Sequence, residues 1–237
     1  MIRLIVFDLD GTLIDSRRDL ADSANALLDT YGAVPLAHDA IVAMVGEGAR
    51  TLISRVLQAA GASAPLDEAV ARFITLYEQR LVQHTRPYDG IADMLDRLST
   101  VARLAVLTNK PQRPAVDILD HFGFAPRFLR IIGGDGPYGR KPDPAGLAFL
   151  RDAAGAAAGE TLMVGDSWVD IETARRAGTR ACFVTYGFGA PPDGGLATQE
   201  LIIDRPSDLP RVVSTLSAMP SPTSSRPSEP VSSSSSR

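Results

Sequence analysis

IRLIVFDLDGTL, residues 2–13, runs from a largely apolar, β-branched segment into an acidic pair, Asp8 and Asp10, and then into the turn residues Gly11 and Thr12. A short apolar run closed by a glycine-containing turn reads as a buried strand of a parallel sheet. Two carboxylates at the end of such a strand are costly to bury unless a positive charge offsets them. A divalent cation would do so. Open α/β sheets place their sites outside the carboxyl ends of strands, where Asp8 and Asp10 would sit. On this stretch alone the alternative is an acidic turn, with Asp capping the next helix.

Working outward, the 237-residue chain is 45% hydrophobic and 22% charged, an ordinary composition for a protein that buries a core. Its net charge is −4 and it has no basic block, which argues against a nucleic-acid partner. The one cysteine, Cys182, permits no internal disulfide, fits a reducing compartment, and sits in an apolar strand as a small hydrophobe. No charged-then-apolar leader opens the sequence, and its first apolar run is too short to span a bilayer. A cytoplasmic protein without a membrane partner, monomeric or homodimeric, is expected. His38, His84 and His121 lie far apart without metal-ligand spacing and read as helix or surface residues.

Beyond the first strand, Asp15 and Ser16 are placed to cap a helix in which Leu20, Ala24, Leu27, Leu28 and Tyr31 recur at helical spacing, with Gly32 as its stop. A second helical stretch begins near His38 and is interrupted at Gly46 and Gly48, as a bend or as two helices joined at GEG. A third, residues 66–84, puts Val70, Phe73, Ile74, Tyr77 and Leu81 on one face. Residues 15–87 therefore read as a helical insertion forming a small domain of its own. After a turn at 87–90 the pattern alternates. Strands are expected at RLAVLTN (103–109), FLRIIGG (128–134), TLMVGD (161–166) and RACFVTYG (180–187), with helices between them and a last short strand and helix within 200–217. Repeated strand–helix units predict a doubly wound, parallel α/β sheet built from 1–14 and 88–217. Residues 218–237, mostly Ser and Pro, have little to bury and are expected to be disordered.

The strand endings matter most. The first strand ends in Asp8 and Asp10, the second in Thr108 and Asn109. The third leads through GPYGRKPDP to Lys141, and the fourth ends in Asp166, with Asp170 one helical turn on. In a parallel sheet all four endings share one edge. Phosphoryl transfer suits that set. Mg²⁺ held by Asp8 and Asp166 would neutralise the repulsion between a phosphate and a carboxylate nucleophile. Asp8 would then attack phosphorus. Thr108, Lys141 and main-chain N–H groups near Leu9 and Asn109 would hold the phosphoryl oxygens. Asp10 is close enough in sequence to protonate the leaving oxygen and then activate water. Asp170 would reach the metal directly or through water.

DLDGT, LTNK, the Lys of GRKPDP and GDSWVD resemble, in order and spacing, the four motifs of the haloacid dehalogenase superfamily. The resemblance covers residues 1 to about 215. It implies a nucleophile at Asp8, a general acid/base at Asp10, the motif hydroxyl at Thr108 and the motif lysine at Lys141. The metal ligands it implies are Asp8, Asp166, Asp170 and the main-chain carbonyl of Asp10. An acid at position 10 marks a phosphatase, because true dehalogenases lack it. Residues 15–87 fall where such proteins carry a helical cap that closes over the site. DLDGTLIDS, MVGEGA, VLTNKP, IIGGD and GDSWVDIETARRAG with the later TYGFG are closely similar to the phosphoglycolate phosphatases. By that resemblance Gly46, Glu47 and Gly48 of the insertion face the site, and Arg50 is a candidate for a substrate carboxylate. Trp168 departs from the polar or basic residue usual at its position. The implied activity is Mg²⁺-dependent hydrolysis of a small phosphorylated metabolite, 2-phosphoglycolate first. The alternatives are a sugar-phosphate or N-acetylmuramic acid 6-phosphate phosphatase, a pyrophosphatase or a β-phosphoglucomutase. A receiver-like binding protein uses a similar acidic edge, but it has no need of an insertion that encloses a substrate.

Overall fold

The computed structural model describes residues 1–218; the segment expected to be disordered lies, from residue 219 onward, outside the described residues. β1 (Leu4–Phe7) has all four side chains buried and lies in the interior of a six-stranded parallel sheet. The chain leaves β1 through a two-residue strand, β2 (Ile14–Asp15). It then forms α1 (Arg17–Thr30), α2 (His38–Val42), α3 (Ala49–Ala59) and α4 (Leu66–Glu78). It returns through β3 (Arg86–Pro87), antiparallel to β2. Strand–helix alternation follows: α5 (Ile91–Ser99), β4 (Arg103–Leu107), α6 (Gln112–His121), β5 (Phe128–Ile132), α7 (Ala145–Ala154) and β6 (Thr161–Gly165). The last elements are α8 (Trp168–Ala177), β7 (Arg180–Val184), β8 (Leu201–Ile203) and α9 (Leu209–Ala218).

The sheet order is β5-β4-β1-β6-β7-β8. The chain builds outward from β1 on one side, then crosses to the other, so the order reverses beside β1, where open sheets form their ligand crevice. Ile5 and Phe7 share one buried cluster with α5, α6 and α9; Leu4 and Val6 share another with α7 and α8. This is the double layer that the period-two alternation of a strand requires. Leu20, Leu27, Leu28, Ile53, Phe73 and Tyr77 form a third cluster among α1–α4, apart from both sheet faces. Cys182 is wholly buried in β7, and burial pushes its thiol up to about 12. No helix among the described residues is long and apolar enough to cross a membrane.

One open expectation is resolved and two are revised. The interrupted helix is two helices, because Gly46 (φ 123°) and Gly48 (φ 87°) hold backbone angles a helix does not allow. Ser16 does not cap α1 with its side chain: its hydroxyl donates to Asp10 Oδ1 at 2.5 Å. The third helix stops at Glu78, six residues before His84. Over 79–84 the chain turns back toward α1, where Asp19 accepts hydrogen bonds from the N–H groups of His84 (3.0 Å) and Thr85 (2.8 Å) and from the Thr85 hydroxyl (2.8 Å). This buried carboxylate clasps the entry and exit of the four-helix segment. Asp19→Ala strands two main-chain donors, so thermal unfolding is expected to show a loss of about 2–4 kcal/mol. A melting temperature unchanged from wild type would rule the clasp out.

Candidate active site

Register puts the site residues together. Phe7 pairs with Val106 of β4 and Val164 of β6, and the Asp8 N–H extends the ladder to the Val164 carbonyl at 2.9 Å. Asp8 is one residue past the paired rung, while Thr108 and Asp166 are two past it on the flanking strands. Three strand ends therefore meet at one edge. The loop after β5 brings Lys141 in from the side.

Lys141 Nζ lies 2.7 Å from Asp8 Oδ1 and 2.6 Å from Asp170 Oδ1, with almost no side-chain exposure. Lys141 is thus the ion-pair partner of Asp8 Oδ1 as well as of Asp170 Oδ1. Asp170 Oδ2 accepts from the Ser167 hydroxyl (2.7 Å) and N–H (3.1 Å) at the start of α8. Asp166 Oδ2 accepts from the N–H groups of Phe188 (3.0 Å) and Gly189 (2.7 Å), and the Thr12 hydroxyl approaches its other oxygen at 3.4 Å. Two glycines make the approach possible. A Cβ on Gly11 (φ 86°) would lie 2.0 Å from Asp166 Oδ2, and one on Gly165 would lie 2.2 Å from Asp170 Cγ.

Asp8, Asp166 and Asp170 present carboxylate oxygens within 4.8 Å of one another, all buried. One ammonium faces three carboxylates, and the electrostatics show the mismatch. Burial pushes Asp8 up to about 6, with Asp170 adding to the rise and Lys141 opposing it. Burial, with Asp170 and Asp8, pushes Asp166 up to about 7 against the pull of the Gly189 and Phe188 N–H groups. Burial works against the Lys141 ammonium, yet Asp170 and Asp8 hold it above its ordinary value. Carboxylates in excess of the one ammonium that faces them fit a hard divalent cation.

A stability test follows from the sign of the shift. Asp166 binds its proton more tightly folded (about 7) than at its ordinary 3.8. Its ionisation therefore costs metal-free stability progressively as pH rises between those values, and the full cost is present above them. Metal-free Asp166→Asn is expected to melt higher than wild type at pH 8, by roughly 2–4 °C per kcal/mol of relieved penalty. The gap should close toward pH 4, and added Mg²⁺ should raise the melting temperature of wild type alone. A metal-free variant that melts lower than wild type at pH 8 would contradict the account.

Asp10 stands beside this cluster. Its carboxylate accepts from Lys110 Nζ at 2.9 and 3.0 Å as well as from Ser16. Thr108 is buried, and its hydroxyl accepts from the Lys110 N–H at 3.2 Å. Asn109 Nδ2 donates to the carbonyls of Gly46 (2.9 Å) and Lys141 (3.0 Å), and its buried Oδ1 has no partner. A cavity at this edge is lined by Asp8, Asp10, Thr108, Asn109 and Asp166 from the sheet side. Gly46, Gly48, Leu52, Phe73 and Tyr77 line it from α1–α4 and their loops.

Two sequence candidates are not brought to the cavity. Glu47 pairs with Arg55 at 2.6 Å, and the half-exposed Arg50 pairs with Asp67. Arg50 opens the exposed side of α3, whose inward face is taken by Leu52, Ile53 and Val56. Conversely, Lys110 and Tyr77 are in the cavity wall and were not readable as site residues. Tyr77 reads as one more apolar position of α4. Lys110 directly follows Thr108 and Asn109, and that adjacency was the available signal.

The family model described as haloacid dehalogenase-like hydrolase matches residues 5–184. Over 212 residues the chain is 36% identical to the phosphoglycolate phosphatase of Rhodospirillum rubrum, covering 86% of this chain and 88% of that one. It is 35% identical over 223 residues to that of Caulobacter vibrioides, covering 92% and 94%. A crystal structure described as a predicted phosphoglycolate phosphatase from Haemophilus somnus superposes with a TM-score of 0.83 at 30% identity, covering 89% of this chain and 97% of that one.

Proposed function

This chain belongs to the haloacid dehalogenase-like hydrolases, and from that premise we propose that it hydrolyses 2-phosphoglycolate to glycolate and phosphate with Mg²⁺. The observation that carries this reading is the buried triad Asp8, Asp166 and Asp170, three carboxylates around the one ammonium of Lys141, at the edge of a cavity that Asp8 and Asp166 line. The substrate follows from the relatives that carry that name.

In this reading Asp8 supplies the nucleophilic oxygen. Its attack forms an O–P bond to the substrate phosphoryl group while the bond from phosphorus to the leaving oxygen breaks, giving an aspartyl-phosphate. Thr108 and Lys141 hold the phosphoryl oxygens, and the main-chain N–H of Asn109 joins them. Asp10 gives a proton to the departing oxygen, then takes one from the water that hydrolyses the acyl phosphate. Asp8, Asp166 and Asp170, with the main-chain carbonyl of Asp10, would hold the Mg²⁺, whose charge offsets the repulsion between carboxylate and phosphate. Residues 15–87 act as the cap and close the site from water, with Asn109 and the Gly46 carbonyl forming part of the seam.

The test is a panel of phosphate esters assayed for free phosphate with Mg²⁺ and with EDTA, glucose 1-phosphate also being checked for isomerisation. Expected are 2-phosphoglycolate among the best substrates by kcat/KM and loss of activity in EDTA. A sugar phosphate, pyrophosphate or N-acetylmuramic acid 6-phosphate far ahead of it would replace the substrate assignment. A single turnover without recycling would indicate a protein that is only phosphorylated.

A further inference from the structure

Lys110 is an ammonium buried between two parts of the chain. Its Nζ lies 2.9 and 3.0 Å from the two oxygens of Asp10, which follows β1, and 2.6 Å from the hydroxyl of Tyr77, on α4. It also sits over the Tyr77 ring, 4.4 Å from its centroid. The lysine side chain is 3% exposed, and both it and Tyr77 line the cavity. The rest of the α1–α4 wall is mostly apolar, with Leu20, Val45, Leu52, Phe73 and Ile74.

A small acid presents this cavity with a problem. Its carboxylate would lose water against an apolar wall and would need a cation there. Lys141 does not line the cavity and lies at the phosphoryl end, on Asp8 and Asp170. Arg50 is turned outward onto Asp67. Arg140 gives its Nε–H to the Gly134 carbonyl and does not line the cavity. Among the described residues that line it, Lys110 is the one cationic side chain.

We infer that Lys110, with the Tyr77 hydroxyl, binds the anionic group of the leaving half of the substrate and so selects a carboxylate-bearing ester. The inference rests on the function proposed above and names the residues that read the glycolate end. Position supports it. Lys110 holds both oxygens of Asp10, the carboxyl that faces the leaving oxygen in that reading. In 2-phosphoglycolate the carboxylate is a single methylene from that oxygen, so a cation beside the acid meets it without reaching. Chemistry supports it as well. Tyr77 Oη accepts from Lys110 and has its own proton to give, so an arriving carboxylate meets an ammonium and a hydroxyl donor together.

The experiment compares kcat/KM for 2-phosphoglycolate with that for 2-hydroxyethyl phosphate, its neutral counterpart of similar size, in wild type, Lys110→Met, Lys110→Arg and Tyr77→Phe. The readout is the ratio of the two values. A general loss through a disturbed Asp10 lowers both and leaves the ratio in place. The ratio is expected to fall about 10- to 100-fold in Lys110→Met, the loss of one charge-assisted hydrogen bond. It should fall less in Tyr77→Phe and recover in part in Lys110→Arg, with KM for 2-phosphoglycolate carrying most of the change. If Lys110→Met does not fold, by circular dichroism, the ratios of Tyr77→Phe and Lys110→Arg decide. A wild-type enzyme that prefers 2-phosphoglycolate while the variants keep its ratio overturns the inference and leaves the proposed function standing. A wild-type enzyme that shows no preference between the two esters overturns the substrate reading itself.

Discussion

Asp8→Asn is expected to lower kcat for 2-phosphoglycolate by about 10⁴-fold or more, the scale seen when a covalent nucleophile is removed. An amide oxygen is a far poorer nucleophile than a carboxylate, and no other group of the triad can replace it. Asp166 is turned onto the Phe188 and Gly189 N–H groups, and Asp170 onto Ser167 and Lys141. The substitution should not unfold the protein, because it removes one charge from a site that holds an excess of negative charge. Without metal, the melting temperature of the variant should be at or above that of wild type, while turnover with metal is lost, which separates chemistry from folding. Borohydride added during turnover should reduce an acyl phosphate on Asp8 in the wild-type protein and leave the variant unmodified. Activity within tenfold of wild type would place the nucleophile elsewhere.

The sheet and its acidic edge were legible in the sequence because local rules point one way there. β1, β4, β6 and β7 are short apolar runs bounded by Gly, Thr-Asn or Asp, and chain order with parallel pairing then places their ends together. Asp8, Thr108 and Asp166 follow from that alone, while Lys141 comes in on the loop after β5 and Asp170 on the first turn of α8. What stayed hidden depends on contacts between remote segments. The β2–β3 pair is two residues on each strand, too short for any periodicity. The Asp19 clasp joins residues 65 and 66 positions apart. Arg50 shows the same limit from the other side. Its proximity to Gly46 and Gly48 in sequence suggested the cavity, but one helical turn of α3 decides which way a side chain faces, and Asp67 was there to receive it. Lys110 and Tyr77 are 33 residues apart, and hydrophobic periodicity registers the tyrosine ring but not its hydroxyl.

Asp10→Asn is expected to slow turnover by roughly 10²–10⁴-fold, the usual worth of a positioned general acid/base. The amide keeps an oxygen able to accept a hydrogen bond at the place of the carboxylate, so the Lys110 ammonium keeps an acceptor though it loses its counter-charge; Asp10→Ala would take away both and confuse stability with chemistry still more. The size of the loss should depend on the leaving group. An alkoxide departs poorly unless it is protonated, whereas a nitrophenolate departs without help. With a nitrophenyl ester the first half-reaction should therefore stay fast, while attack of water on the aspartyl-phosphate, which needs the same carboxylate as base, becomes limiting. A burst of one nitrophenolate per enzyme followed by slow release is expected with that ester, and no burst with 2-phosphoglycolate. Equal losses on both esters, with no burst, would mean that the carboxyl held by Lys110 and Ser16 positions the site without carrying the proton.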